Sequence, residues 1–176
     1  MASDRYLPAL RFPALTRLFD PLIGRAVPER RMKAELVEQA AIGSGQRILD
    51  LGCGTGTMAI MAKVAHPDAE VVGLDADPEI LALAQGKAEV SGAEVRFDRG
   101  LSTALPYEDG SVDRVLSTLF FHHLTSAGLE RTRDNAAGAL RAIFEQAGLA
   151  QPAETGRMRT AFGTLALYRA RKPEGG

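Results

Sequence analysis

The sequence predicts an α/β fold, a doubly wound and mostly parallel sheet that closes with a C-terminal antiparallel hairpin. Three observations carry that reading. The segment Arg47-Ile48-Leu49-Asp50-Leu51 has the pattern of a buried strand, and it runs into the glycine turn Gly52-Cys53-Gly54-Thr55-Gly56, which opens a helix. Such a turn lets backbone approach a ligand closely. From there to Ser117, strand-length apolar runs alternate with helix-length periodic ones, as in a parallel sheet covered on both faces. Beyond Gly148 the pattern changes to two β-rich runs joined by a short turn.

Taken in order, Tyr6, Leu7, Leu10, Phe12, Leu15, Leu18, Phe19 and Leu22 recur at near-helical spacing, broken by Pro8, Pro13 and Pro21. Residues 1–27 therefore read as a helical cap. Two readings stand for it: a lid over a substrate pocket or an interfacial membrane contact, and plain helix packing onto the domain. From about Pro28 to Ile42 a helix turns Met32, Leu36 and Val37 inward and stops at Gly43-Ser44-Gly45. After the first strand and its turn, Met58, Ile60, Met61 and Val64 mark a helix that ends at His66-Pro67, because proline disfavours helix in the residue before it.

Glu70 to Asp75 reads as the second strand. Asp77-Pro78-Glu79 then supplies an N-cap with proline at the first helical position, and the helix runs to about Val90 and stops at Ser91-Gly92. Ala93 to Phe97 is a short third strand. Ser111 to Ser117 is the fourth, entered from the turn Tyr107-Glu108-Asp109-Gly110. Ala127 to about Ala147 reads as helix with Leu140, Ile143 and Phe144 on one face. Glu154–Thr160 and Thr164–Arg171 form the hairpin, joined at Ala161-Phe162-Gly163. Residues 28–172 are thus one domain, and 173–176 a frayed tail.

Composition narrows the function classes. With 176 residues, 45% of them hydrophobic, the chain can bury one sizeable core. Its 21 basic and 22 acidic side chains are interspersed, which leaves no footprint for a phosphate backbone and argues against nucleic acid as partner. The lone Cys53 excludes an internal disulfide. The start of the chain lacks a signal-peptide pattern, so a cytoplasmic location is expected. No apolar run approaches the roughly 20 residues that cross a bilayer. No ligand set for a metal is spaced in the sequence, since His122 and His123 are adjacent and nothing completes a site with them.

The glycines of the first turn are spaced G-x-G-x-G. A dinucleotide fingerprint wants its third glycine where Thr57 stands, which argues against a nicotinamide-dependent oxidoreductase. Asp50-Leu51-Gly52-Cys53-Gly54-Thr55-Gly56 instead resembles the first motif of the class I S-adenosylmethionine-dependent methyltransferases, a hydrophobic strand ending in D-x-G-x-G-x-G. The resemblance implies that residues 28–172 are a methyltransferase-like, nucleoside-binding domain of Rossmann-like fold, with S-adenosylmethionine as methyl donor. It further implies that Asp50, Gly52, Gly54 and Gly56, with Cys53 between them as a small buried side chain, bracket the amino acid end of that molecule. Asp50 would orient the turn or the ammonium.

Asp75 closes the second strand at the place, about 20 residues past such a turn, where a carboxylate accepts both ribose hydroxyls and repels a 2′-phosphate. Ala76 would lie beneath the adenine edge. Gly100-Leu101-Ser102-Thr103-Ala104-Leu105-Pro106-Tyr107 resembles the family's G-D-A-x-x-L-P-F stretch, with Leu101 where aspartate usually receives the adenine amino group. Ser102 or backbone is left as the substitute. Ser117-Thr118-Leu119-Phe120-Phe121-His122-His123-Leu124 matches the end of the fourth strand, which faces the methyl group. There His122 or His123 suits a general base, or alignment of the nucleophile suffices without one. Phe120 and Phe121 fit equally a pocket wall and core.

The chain departs from the family beyond that point. The stretch R-V-L-x-P-G-G and the fifth strand are not recognisable, which sets a gap between about Leu124 and Arg133 or, in a competing alignment, makes the final strands the fifth and beyond. An inner strand lost from the sheet leaves the fourth as an edge, and an unpaired edge invites association. Either the hairpin closes beside the fourth strand, or the protein forms a homodimer through this edge. The implied activity is transfer of a methyl group to a small-molecule acceptor by direct displacement, in the manner of the ubiquinone and menaquinone biosynthesis type. The alternative is a catalytically crippled protein that binds S-adenosylmethionine or S-adenosylhomocysteine and lacks an acceptor pocket.

Overall fold

Four parallel strands lie in the order β3-β2-β1-β4, so the chain runs outward from β1 through β2 to β3 and returns to the other side of β1 for β4. The structure, a computed structural model, describes residues 29–102, 104–118, 145, 148–160 and 163–173. Contacts divide the chain into two units. The first carries residues 30–118 and the second carries the hairpin. In the first, α1 (Glu29–Gln39) precedes β1 (Arg47–Leu51), α2 (Thr57–Ala65), β2 (Glu70–Asp75), α3 (Pro78–Ser91), β3 (Val95–Arg99) and β4 (Arg114–Leu116). Ile48 pairs with Val71 on one side and Arg114 on the other, and Val71 with Val95.

Alternation along the strands sends side chains to two faces. On one, Ile48, Val71 and Val95 pack against Met58, Ala59 and Ala62 of α2, Ala88 of α3 and Val37 of α1. On the other, Leu49, Val72 and Leu74 form a smaller cluster under Leu51, Tyr107 and Val112. The margin of this second face is polar. Arg47 Nε lies 3.1 Å from Glu70 Oε1, Arg96 pairs with Asp98 at 3.0 Å, and Tyr107 donates its hydroxyl to Asp98 Oδ2 at 3.0 Å. Burial, then the bond to Asp98 and its charge, pushes the Tyr107 hydroxyl up to about 12.

Helix ends follow local chemistry. Asp77 caps α3, its Oδ1 accepting the backbone N–H of Glu79 at 2.9 Å and of Ile80 at 3.4 Å, with Pro78 next to it and Gly92 (φ 66°) as the C-cap. Asp77→Ala is expected to cost about 1 kcal/mol, read as a lower urea midpoint with an unchanged slope. His66 terminates α2, its N–H reaching Ala62 O at 2.9 Å.

Several boundaries correct the sequence reading. α1 stops at Gln39 rather than near Ile42, because Ala41 takes φ 48° and its N–H turns back to Glu38 O. β3 begins two residues later than expected, set by its pairing from Val71↔Val95 to Asp75↔Arg99. β4 spans only Arg114–Leu116, since the main chain before it is held otherwise: Asp113 N–H donates to Arg47 O at 2.9 Å, and Asp113 Oδ2 accepts Arg47 N–H at 2.8 Å.

In the second unit, β5 (Ala150–Thr160) and β6 (Gly163–Arg171) pair antiparallel, from Thr160↔Gly163 to Ala150↔Arg171, with two register shifts. β5 starts earlier than expected, with Gln151 at φ 51° in the first irregularity. The hairpin is a two-stranded sheet of its own, and among the described residues β4 pairs with β1 alone. The cap over residues 1–27, the helix expected from Ala127 and the region of the expected gap lie outside the described residues. Among the described residues no helix is long and apolar enough to cross a membrane.

Candidate functional site

The strand order reverses beside β1, and in open α/β sheets ligands bind outside the carboxyl ends of the strands at that reversal. The glycine turn occupies this place. Its first residues are sewn to β2, the N–H groups of Gly52 and Cys53 both donating to Leu74 O at 2.9 and 3.0 Å. Gly54 N–H donates to Asp75 Oδ2 at 2.9 Å, and the other oxygen of Asp75 accepts Asp77 N–H at 3.1 Å. Gly56 N–H closes the turn on Cys53 O at 3.0 Å.

Gly54 and Gly56 both take positive φ, 54° and 71°, yet their surroundings differ. A Cβ on Gly56 would stand 2.8 Å from Phe97 Cζ and 2.9 Å from Ala84 Cβ. One on Gly54 would meet nothing within 4 Å. Packing thus requires a glycine at 56, while Gly54 opens onto free space that a ligand can approach.

Asp50 is 1% exposed. Its Oδ2 accepts Ala59 N–H at 3.1 Å, in the first turn of a helix whose N-cap, Gly56, offers no side chain. Its carboxylate therefore serves the positive end of α2 from below, closed off from solvent. Burial pushes this carboxyl up to about 7, against the opposing pull of Lys33 and the Ala59 N–H. Cys53 is buried too. Burial, with the charges of Asp50 and Asp75 nearby, drives its thiol far up, which makes it an unreactive filler.

The remaining expected residues are placed as follows. Asp75 is half-buried at the end of β2, with one N–H on each oxygen. Ala76 offers its carbonyl to Arg99 Nε at 3.3 Å. Ser117 Oγ donates to Leu51 O at 2.9 Å and so ties the end of β4 to that of β1. Ser102 is half-buried in the turn after β3. His122, His123, Phe120 and Phe121 lie outside the described residues. A cleft of about 530 Å³ lined by Arg47, Arg96, Asp98, Arg99 and Tyr107 includes none of the turn residues.

One residue escaped the sequence reading. Lys87 of α3 donates from Nζ to Thr55 Oγ1 at 2.7 Å and to Thr57 Oγ1 at 3.2 Å, clasping the turn. Its signal was its helical phase. It follows Ala84 by three positions, on the flank of the buried stripe Leu81, Ala84 and Ala88.

A family model described as a methyltransferase domain matches residues 48–142, more than half of the chain. The chain belongs to this methyltransferase domain family. It is a class I S-adenosylmethionine-dependent member, as its first motif suggests. The demethylmenaquinone methyltransferase of Thermus thermophilus is 42% identical over 115 residues, 65% of this chain and 50% of that protein. The protein of the same name in Deinococcus radiodurans is 36% identical over 95 residues, 54% of this chain and 39% of that one. The chain thus spans half or less of the length of these two relatives. Among solved structures, an S-adenosylmethionine-dependent methyltransferase from Aquifex aeolicus superposes with a TM-score of 0.64 at 17% identity, over 92% of this chain and 98% of that one, a likeness of fold.

Proposed function

We propose that this methyltransferase-family protein binds S-adenosylmethionine at the turn between β1 and α2 and transfers its methyl group to a small-molecule acceptor. The observation that carries the proposal is the pairing of two features at the reversal of strand order: a glycine, Gly54, that opens onto free space, and a half-buried carboxylate, Asp75, joined to it by a hydrogen bond. The residues fit the donor molecule. Each oxygen of Asp75 holds one N–H and keeps lone-pair capacity for a ribose hydroxyl, and its charge disfavours a 2′-phosphate.

Bound S-adenosylmethionine supplies an electrophilic methyl on a sulfonium. An electron pair of the acceptor, a lone pair on oxygen or nitrogen or the π pair of a carbon nucleophile, forms the new bond to that carbon. The carbon–sulfur bond breaks with its electrons left on sulfur to give S-adenosylhomocysteine, and the acceptor atom gives up its proton. Asp50 supports the turn from beneath by holding α2, and Ser117 keeps the ends of β1 and β4 together, so the chain's contribution is positioning. In this reading His122 or His123 takes the acceptor's proton. Demethylmenaquinone, the acceptor in the name of the Thermus thermophilus relative, is the first to assay.

Calorimetric titration with S-adenosylmethionine, S-adenosylhomocysteine and NADH tests the site. The expected result is micromolar binding of the first two, no binding of NADH, and at least a tenfold loss in Asp75→Ala, as hydrogen bonds to a charged group contribute about 1.5–3 kcal/mol. A folded sample that binds neither adenosyl compound overturns the proposal. Binding without turnover over a panel of acceptors favours the binding-protein alternative.

A further inference from the structure

Two glycines flank Thr55, and both hold positive φ. Glycine loses more conformational freedom on ordering than other residues, so the shape of this turn depends on what grips it from outside. Four holds are visible. Leu74 O of β2 takes the N–H groups of Gly52 and Cys53, Asp75 Oδ2 takes the Gly54 N–H, the Phe97 ring borders Gly56, and the Lys87 ammonium, reaching across from α3, holds the hydroxyls of Thr55 and Thr57. The first two tie the turn to β2, and the third backs its last residue. Lys87 acts at its crown and at the first residue of α2.

The charge is set against local helix electrostatics. Thr57 begins α2, whose first turn carries the positive end of the helix dipole, and a cation there is mildly destabilising. Stabilising α2 is therefore a poor account of Lys87. A glycine turn that opens a helix favours an anionic group, and the carboxylate of the amino acid end is the one anion on S-adenosylhomocysteine.

We infer that Lys87 is a positioning residue: its clasp on Thr55 and Thr57 fixes the glycine turn to α3 and makes the site select adenosyl ligands that carry an amino acid carboxylate over those that lack it. The clasp stands on the geometry alone, whereas the selectivity rests on the function proposed above.

The test uses the full chain with Lys87→Met, which keeps the aliphatic stem, Lys87→Arg, which keeps the donors, and Thr55→Val, which removes the crown acceptor. Amide hydrogen exchange is followed first, without ligand, at Gly54 and Gly56, both hydrogen-bonded in the turn. Exchange at both is expected to quicken at least tenfold in Lys87→Met and Thr55→Val and to stay near the parent rate in Lys87→Arg. Unchanged exchange in the first two overturns the clasp.

Calorimetry then compares S-adenosylhomocysteine with 5′-methylthioadenosine, which has the same nucleoside and no amino acid end. Lys87→Met is expected to weaken the first at least tenfold and the second less than twofold, with Lys87→Arg restoring most of the loss. Equal weakening of both ligands, or of neither, overturns the selectivity. A parent protein that binds no adenosyl ligand overturns the functional reading and the selectivity with it, while the exchange rates still decide the clasp.

Discussion

Gly56→Ala should lower stability by about 4 kcal/mol, and Gly54→Ala by only about 1. Both positions hold positive φ, where a side chain costs about 1–2 kcal/mol. Only at Gly56 would the new methyl strike Phe97 and Ala84, below 3 Å, and overpacking a tight core adds about 1–3 kcal/mol. The same Phe97 ring lies 2.7 Å from a Cβ built on Gly73, so it has nowhere to retreat on the β2 side. Urea denaturation of the single variants and of Gly56→Ala with Phe97→Leu separates the contributions. The second change should return the packing part and leave the backbone part. Equal costs at 54 and 56 would show that Phe97 does not set the requirement. Gly54→Ala, in contrast, should fold and, on the function proposed above, lose affinity for S-adenosylhomocysteine, because its methyl enters the open space assigned there to the ligand.

Asp50→Asn should make the protein more stable than its parent at pH 8 and nearly equal to it at pH 4. In the unfolded chain this carboxyl titrates near 4, and in the folded protein near 7, chiefly because it is buried. Between those values the native state retains a proton that the unfolded chain has released, so stability falls as pH rises through the window and the loss is complete above about 7. Three pKa units correspond to about 4 kcal/mol. Lys33 and the Ala59 N–H lower the folded value, while Asp75 raises it. Asparagine keeps an acceptor for Ala59 and cannot ionise, so it should flatten the profile. Denaturation of both proteins at pH 4, 6 and 8 checks this, and parallel profiles would refute a buried, titrating Asp50.

The part of the fold that was legible is the part where punctuation and periodicity coincide. Asp77-Pro78 and Gly92 bracket α3, and His66-Pro67 ends α2, each through chemistry carried by neighbouring residues. The end of β3 was missed because Asp98 and Arg99 look like loop in one dimension. In the sheet Arg96 and Asp98 pair with each other at the polar margin next to Tyr107 and Glu70. The early start of β5 was hidden by Gln151-Pro152, which sits at an irregularity where proline is tolerated.

In the site, Asp75 stands where spacing put it, at the end of β2. The burial of Asp50 and the reach of Lys87 were not readable, for both depend on contacts with α1, α2 and α3 that no local pattern encodes.

A single carboxylate, that of Asp75, grips Gly54 in the turn with one oxygen and the main chain of Asp77, the head of α3, with the other. The crossovers that leave β1 and β2 are therefore pinned to the same hinge. Fraying of one loosens the other, so the cradle should let go as one cooperative unit rather than loop first. A ligand that engages Asp75 meets a receptacle already assembled, and spends little of its affinity on ordering it.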